Sequence, residues 1–523
     1  MVARADIENT EKGFGMTEGR DTDKQTDLKL YTAAACRAVD AQAMAPQSSG
    51  GMGLGGDVLM GRAAQFALDT LMALHPSLGG ISVVCGKGNN GGDGYWVAFL
   101  AQRLGIAVQI IGVAPKEQLS GDALAAREQA EAAGLSVEGP EAGLRYQVIV
   151  DALLGIGGRG EPRPAYARII KDINQSGGFV FSLDLPSGLN ADTGEAGLAV
   201  QADATVSFIV RNIGLYTGQG PKLCGQHFFS DLGVSSTFAE AHPHVPLRFW
   251  RQTLLPRVPV DAYKHQRGHV VIVGGCMGMG GAVILAAEAA LRSGAGLVTV
   301  ATDICNLSGL QARVPEAMWV DPVGGASDQT LKQILHKADV VVLGPGLGRS
   351  DWAEAVLEAL VDYPGPMLVD ADGLFWLGQF HRQSRRIARG GELYLTPHGG
   401  EAAGLLECSV QQVSSDRLGA LSDMTGRYSA QGLIKGPGTV MGNAQEHGIC
   451  GHGNPGMATA GMGDVLAGLA GSLMAQHPDQ RRSAFSAAVV LHSAAGDLAA
   501  EDLGMRPLTA SAVIDRIAQL LKD

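Results

Sequence analysis

The chain has 523 residues, 46% hydrophobic and 18% charged, with 74 glycines and a formal net charge of −12 at pH 7. It is too long for one ordinary core and too apolar for a disordered chain, so two or three folded domains are expected. Without a basic stripe or tail, the acidic balance excludes nucleic acid and anionic membrane as expected partners.

Met1 to Lys29 is polar and charged, which reads as a flexible tail rather than a secretory signal. Helical spacing covers Leu30 to Ala45 and Asp57 to Leu74. Apolar runs then fall at 81–85, 107–113, 146–150, 179–183 and 204–210, the rhythm of a parallel sheet buried on both faces. From about Ser235 to Arg267 the rhythm breaks into proline-rich, basic sequence, read as a linker over 241–267. A second series follows at 269–275, 296–302, 339–346, 366–372, 392–398 and 432–440, and a long helical region begins near Gly463. The expected fold class is α/β, with two three-layer α/β/α domains at 30–240 and 268–523. The first is Rossmann-like. No stretch approaches the ~20 uninterrupted apolar residues of a membrane span. Seven scattered cysteines, never spaced C-x-x-C, fit neither a disulfide framework nor a zinc site and point to a reducing, cytoplasmic setting.

Ligands of open parallel sheets sit outside the carboxyl ends of the strands, where this chain places its glycine-rich and polar clusters. In "CGKGNNGGDGY" (85–95), Gly86, Gly88 and Gly91 spell a dinucleotide fingerprint. A hydride-transfer site also wants an acidic residue after the second strand, and none follows Val113. The loop instead carries Asn89, Asn90 and Asp93. Asn90, Asp151 and Ser187 offer hard oxygens from separate strand ends, suited to a hard cation rather than zinc. Asp184 stands at another strand end, placed for hydrogen bonding or proton transfer, with turn capping as the simpler alternative. "GIGGRG" (155–160) is a second glycine-rich turn whose N–H groups could receive a phosphate.

"CGKGNNGGDGYWVA", "VDALLGIGGRG", "SLDLPSGLNADTG" and "FIVRNIGLYTG" resemble, in order, the motifs of the NAD(P)H-hydrate epimerase domain. The resemblance covers about Leu30 to Val234. It implies that Asn89, Asn90, Gly91, Gly92 and Asp93, the loop Gly155, Ile156, Gly157, Gly158, Arg159, Gly160 and Glu161, and Asp184 bind the hydrated nicotinamide nucleotide. Potassium would be held by Asn90, Asp151 and Ser187, and Asp184 would move the proton in epimerisation. Asn212 stands where the family usually has lysine, and Ala64 where it has glycine.

In "GNPGMATAGMGDVLAG", Gly461, Met462, Gly463 and Asp464 open an apolar helix. Successive N–H groups at such a start, with glycines allowing close approach, make an anion hole for a phosphoryl group. Asp464 would then accept a proton from the substrate hydroxyl; an ordinary N-cap is the plainer reading. "KGPGT" (Lys435, Gly436, Pro437, Gly438, Thr439) suggests a nucleotide-phosphate contact, and "LGPGLG" (343–348) a second backbone cradle. His398 and Glu401 follow another strand. Asp370 and Asp372 could organise a magnesium ion through water or merely cap the strand end.

An aspartate behind a glycine-lined anion hole resembles the ribokinase-like superfamily. More narrowly, "YKHQRGHVVIVGG", "GPGLG", "VDADGL", "TPHGGEAAGLL", "KGPGT" and "GMATAGMGDVLAG" resemble the NAD(P)H-hydrate dehydratase domain, over about Asp261 to Asp497. By that resemblance Ala282, Gly346, His398 and Asp464 meet the hydrated substrate. Lys435 to Thr439, Gly461 and Gly463 meet ADP, which brings magnesium. Gly399 replaces a common proline and Phe375 a frequent asparagine. Together the two resemblances imply an enzyme that interconverts the R and S forms of hydrated NADH or NADPH and returns the S form to NAD(P)H at the expense of ADP. Assembly as a homo-oligomer is expected. The alternative is a vitamin or sugar kinase fused to a nucleotide-sensing, inactive α/β domain.

Overall fold

Strand residues in both halves alternate between two buried faces, so each sheet needs helices on both sides. The computed structural model describes residues 27–158, 160–323, 327–361, 363–383, 385 and 392–522. They divide into two units, at 27–247 and 248–523.

In the first unit, Gly80–Cys85, Ala107–Gly112, Val137–Glu138, Val148–Ala152, Phe179–Leu183, Ala204–Phe208 and Gln226–Ser230 form one parallel sheet. Counted in chain order from Gly80–Cys85, the strands lie 3-2-1-4-5-6-7. Val83, Ile110 and Phe181 face the helices Gly56–Leu74, Asn89–Arg103 and Gly121–Ala132. Their neighbours Val84, Ile111 and Val180 face the helix Pro164–Gln175.

Two elements differ from the sequence expectation. Helix Ala33–Met44 starts later than expected because Thr32 caps it, its side chain accepting from the Ala35 N–H. The residues before it form the strand Leu28–Tyr31, so Leu28 and Lys29 are not tail. That strand pairs with Arg211–Asn212 and, antiparallel, with Val245–Arg248. The proline-rich stretch read as a linker thus supplies a strand to the first unit. Trp250 and Leu255 of the same stretch pack on the core of the second.

The second unit repeats the order. His269–Val273, Leu297–Ala301, Met318–Val320, Val340–Leu343, Met367–Val369, Leu393–Leu395 and Gln431–Ile434 lie parallel as 3-2-1-4-5-6-7. The antiparallel strands Val440–Gly442 and His447–Cys450 extend it; the first of these was read as the end of the preceding run. Val270, Ile272 and Val342 share one core with the helices Gly280–Arg292, Met462–Gln476, Arg481–Leu503 and Ala510–Leu520. The span Pro478–Leu503 is apolar and long enough to cross a membrane, but Ala488, Val489, Leu491 and Ala495 lie in that core.

Helices Gly280–Arg292 and Met462–Gln476 meet backbone to backbone. A Cβ on Gly468 would overlap the Ala286 carbonyl oxygen. Alanine at Gly468 should gain about 1 kcal/mol of helix propensity but cost about 3 kcal/mol by forcing the helices apart. The unfolding midpoint of Gly468→Ala in urea is therefore expected below that of the parent. A midpoint equal or higher would show that the interface yields freely.

Candidate active sites

In both sheets the order reverses beside the first strand, and a crevice opens there at the carboxyl ends. In the first unit it lies between Gly80–Cys85 and Val148–Ala152. The Gly86 N–H donates to the Ala152 carbonyl (3.0 Å). A Cβ on Gly86 would overlap the Leu153 oxygen, and one on Gly91 the Gly86 oxygen. The glycine spacing is thus required by the turn itself, whatever the ligand.

Asn90 begins the next helix, is only 8% exposed, and has no hydrogen-bond partner at Oδ1 or Nδ2. Asp151 is fully buried. It accepts from the hydroxyls of Ser182 (2.8 Å) and Ser187 (2.6 Å) and from the N–H groups of Ser187 (2.9 Å) and Leu153 (3.2 Å). Burial nevertheless holds its carboxyl above the usual range, those bonds opposing it. Asp184 adopts φ 67° and accepts from the Ile156 N–H (3.0 Å). A Cβ on Gly155 would lie 2.8 Å from Asp184 Oδ2 and 3.2 Å from Asn90 Cβ, so the three converge. Burial pushes Asp184 up to about 6. It also raises Asp93, which faces the charges of Asp184 and Asp40.

Asp40 is a group that sequence reasoning missed. On helix Ala33–Met44 it lies one turn from Cys36, and burial, then the charge of Asp184, raises it to about 7 against the opposing pull of Arg37. The available signal was an acidic residue on the face of Cys36 and Ala43. Asn212, where the resemblance implies lysine, is buried and accepts from the Cys36 thiol (3.0 Å). Arg211 lies instead on Phe229, its guanidinium 3.7 Å from the ring centroid. In the 155–161 loop the Gly158 N–H closes a turn onto the Gly155 carbonyl (3.0 Å) and Ile156 packs beneath. Arg159 lies outside the described residues.

In the second unit, Gly461 at φ 87° caps helix Met462–Gln476, and the first-turn amides have no acceptor within the helix. Lys435 brings its ammonium to Asp370 Oδ1 (2.8 Å), with Glu401 Oε2 at 3.9 Å. A Cβ on Gly463 would lie 3.3 Å from that ammonium and 3.4 Å from Asp370 Oδ2. Lys435 therefore faces the helix start rather than standing outward from its own loop. Burial raises Asp464 to about 7; the charge of Asp370 adds to this and Lys435 opposes it.

His398 caps helix Gly399–Leu406. Its Nδ1 accepts from the N–H groups of Gly400 (3.0 Å) and Glu401 (3.2 Å), while Glu401 accepts from the His398 N–H (2.8 Å). The plain capping role is therefore present; the side chain is 60% exposed, and its Nε2 lies 3.5 Å from Glu401 Oε1. Nothing lies within 4 Å of a Cβ built on Gly399, the first helical position, where proline is commonly accommodated.

Gly346 and Ala282 are brought together: a Cβ on Gly346 would lie 3.1 Å from Ala282 Cβ. Asp372 accepts from the Gly348 N–H (3.1 Å) and pairs with Arg349 Nε (3.0 Å), while Arg349 stacks on Phe375. It fixes the 343–348 cradle. The Lys435–Thr439 turn is held from beneath by Arg417, which donates to the carbonyls of Ile434 (2.7 Å), Pro437 (2.5 Å) and Gly438 (2.9 Å). Thr439 turns its hydroxyl inward to the Gly436 carbonyl (3.1 Å). Asp497 ties down the approach to the anion hole, accepting from the Gly453 N–H and from Asn454 Nδ2 (2.9 Å).

Family comparison agrees with this division. Residues 270–519 match the family described as NAD(P)H-hydrate dehydratase, and 56–214 the YjeF-related protein N-terminus. The chain is 43% identical over 470 residues to the bifunctional NAD(P)H-hydrate repair enzyme Nnr of Coxiella burnetii, covering 88% of this chain and 94% of that one. It belongs to the bifunctional NAD(P)H-hydrate repair enzyme family. The Escherichia coli Nnr is 37% identical over 477 residues, covering 88% of this chain and 89% of its own. A ribokinase-like superfamily protein from Enterococcus faecalis is similar to this chain at 29% identity, covering 52% of this chain and 96% of its own, with a TM-score of 0.45.

Proposed function

We propose that this member of the repair-enzyme family interconverts the R and S epimers of hydrated NAD(P)H in the 27–247 unit. The 248–523 unit dehydrates the S form with ADP as phosphoryl donor. The observation that carries the reading is Asp464 in the first turn of a glycine-opened helix, with the Lys435 ammonium alongside.

Asp464 takes the proton of the ring hydroxyl as its oxygen attacks the terminal phosphorus of ADP, and AMP departs. The amides at the helix start and Lys435 hold the oxygens of the transferring group. Phosphate then leaves the ring carbon and loss of a neighbouring proton restores the double bond, giving NAD(P)H, AMP and phosphate. Magnesium would arrive on the nucleotide phosphates. Among the described residues no group of three or more His, Cys, Asp or Glu gathers to hold a metal. Asp370 and Asp372 are engaged by Lys435 and Arg349. In the first unit Asp184 moves the proton in epimerisation, with Asp40 and Asp93 nearby. A reducing, cytoplasmic setting and homo-oligomeric assembly complete the proposal, the former supported by seven unpaired cysteines.

The test incubates the whole chain with both NADH-hydrate epimers and ADP, then ATP, following return of the reduced-nicotinamide absorbance. Consumption of both epimers supports both activities. Loss of the S form alone, with R disappearing at its spontaneous rate, would remove the first. A stable phosphorylated product would favour the kinase reading.

Potassium fits the first site on the chemistry of its donors. Asn90 has an unmatched amide oxygen, and Asp151 and Ser187 add hard oxygens. An unmatched buried amide costs on the order of 1–3 kcal/mol, and a cation there would stabilise the folded state by mass action. The thermal midpoint is expected higher in potassium chloride than in tetramethylammonium chloride, with the gap lost in Asn90→Leu. Equal midpoints for the parent would count against the ion.

A further inference from the structure

Lys435 and Asp370 form a charged pair in which Asp370 is 1% exposed and the Lys435 side chain 24%. Such pairs contribute little net stability, because desolvation offsets the attraction. This one joins the ends of three strands. Asp370 follows Met367–Val369, Lys435 follows Gln431–Ile434, and the Lys435 N–H donates to the Pro397 carbonyl (2.8 Å) beyond Leu393–Leu395. Two carboxylates compete for the ammonium, Asp370 at 2.8 Å and Glu401 at 3.9 Å, the latter also accepting from the His398 N–H. Asp464, a third, is the next residue after Gly463, against which the pair lies. An ammonium released from Asp370 would be shared between Glu401 and Asp464, and its share on Asp464 would weaken the base the reaction needs.

We propose that Asp370 is a positioning residue for phosphoryl transfer: it fixes the Lys435 ammonium beside Gly463 and withholds it from Asp464, which stays free to take the hydroxyl proton. The inference rests on the dehydratase reading of this unit.

The remaining charged or titratable neighbours leave the assignment to Asp370. At the start of helix Gly399–Leu406, Glu401 is the more distant carboxylate from the ammonium, and His398 Nε2 lies 3.5 Å from Glu401 Oε1. His492, on Arg481–Leu503, faces Lys435 and is held uncharged by burial, which lowers it to about 4. On Gly280–Arg292, Glu288 pairs with Arg313 and Arg292 with Asp515, which reaches it from Ala510–Leu520. On that last helix Arg516 pairs with Asp502.

The test compares pH profiles of kcat for dehydration in the parent and in Asp370→Asn and Asp370→Glu, using S-form hydrate and ADP. Failure of the parent to regenerate NADH would sink the dehydratase reading itself; an active parent isolates the question of Asp370. Loss of the Asp370 charge alone lowers Asp464, so Lys435→Met is made in both backgrounds. It is expected to raise the acid limb about one pH unit more in Asp370→Asn than in the parent, because only there does the ammonium sit on Asp464. The plateau of Asp370→Asn is expected about tenfold lower, from the weaker base. Asp370→Glu keeps the pair and should restore the limb to its parental position. A lowered plateau with an unmoved limb in Asp370→Asn would mean a merely structural residue and overturn the proposal, as would an upward shift or an equal effect of Lys435→Met in the two backgrounds. Should Asp370→Asn not fold, Asp370→Ser, which admits water to the ammonium, is read in the same way.

Discussion

Asp464→Ala is expected to abolish return of NADH from its S-hydrate while the chain stays folded and still binds ADP. General bases contribute about 10²- to 10⁴-fold to such steps, and with burial raising Asp464 to about 7 the group is matched to neutral pH. Its carboxyl must be ionised to accept the proton, so parental activity should rise as pH climbs through about 7. The structural cost of the substitution is small. Gly461 provides the cap, so the variant loses only a favourable acidic group in the first turn, about 0.5 kcal/mol. Circular dichroism and ADP titration check the fold and the nucleotide site. Full activity in a folded variant would remove Asp464 from the mechanism.

The second large effect belongs to the other unit. Asp184→Asn should reduce consumption of the R epimer to its spontaneous rate and leave S-form dehydration unchanged. Asparagine tolerates the left-handed backbone at φ 67° and its amide oxygen can still accept from the Ile156 N–H, so the change removes proton transfer and little else. Roughly 10²-fold or more is the scale expected for losing such a group. Should the parent itself already consume the R form only spontaneously, the neutral Asn212 beside Cys36 would be the first place to look, and nucleotide sensing would describe this unit better.

The crevices were legible because strand-end loops announce themselves through glycine and short polar residues. Asn90, Asp151, Ser187 and Asp184 come together after separate strands, as do Lys435 and His398 with the helix start that carries Asp464. What sequence could not reveal were partners fixed by packing rather than by local pattern. Arg417 lies on a helix well upstream of the turn it holds. Asp40 projects from a helix whose composition gives no hint of Asp184. Asp370 looked equally like a magnesium contact or a cap until its ammonium partner was in view. The strand Leu28–Tyr31 escaped notice because its apolar residues run straight into a helix with the same apolar content.

The close approach of Gly468 to Ala286 has a mechanical consequence. The helix that starts at the phosphoryl site and the helix that carries Ala282 are seated on each other's main chains, so those two walls of the pocket cannot shift independently. A displacement at the start of helix Met462–Gln476 would therefore be carried to Ala282 through that shared main-chain contact rather than absorbed between the two helices.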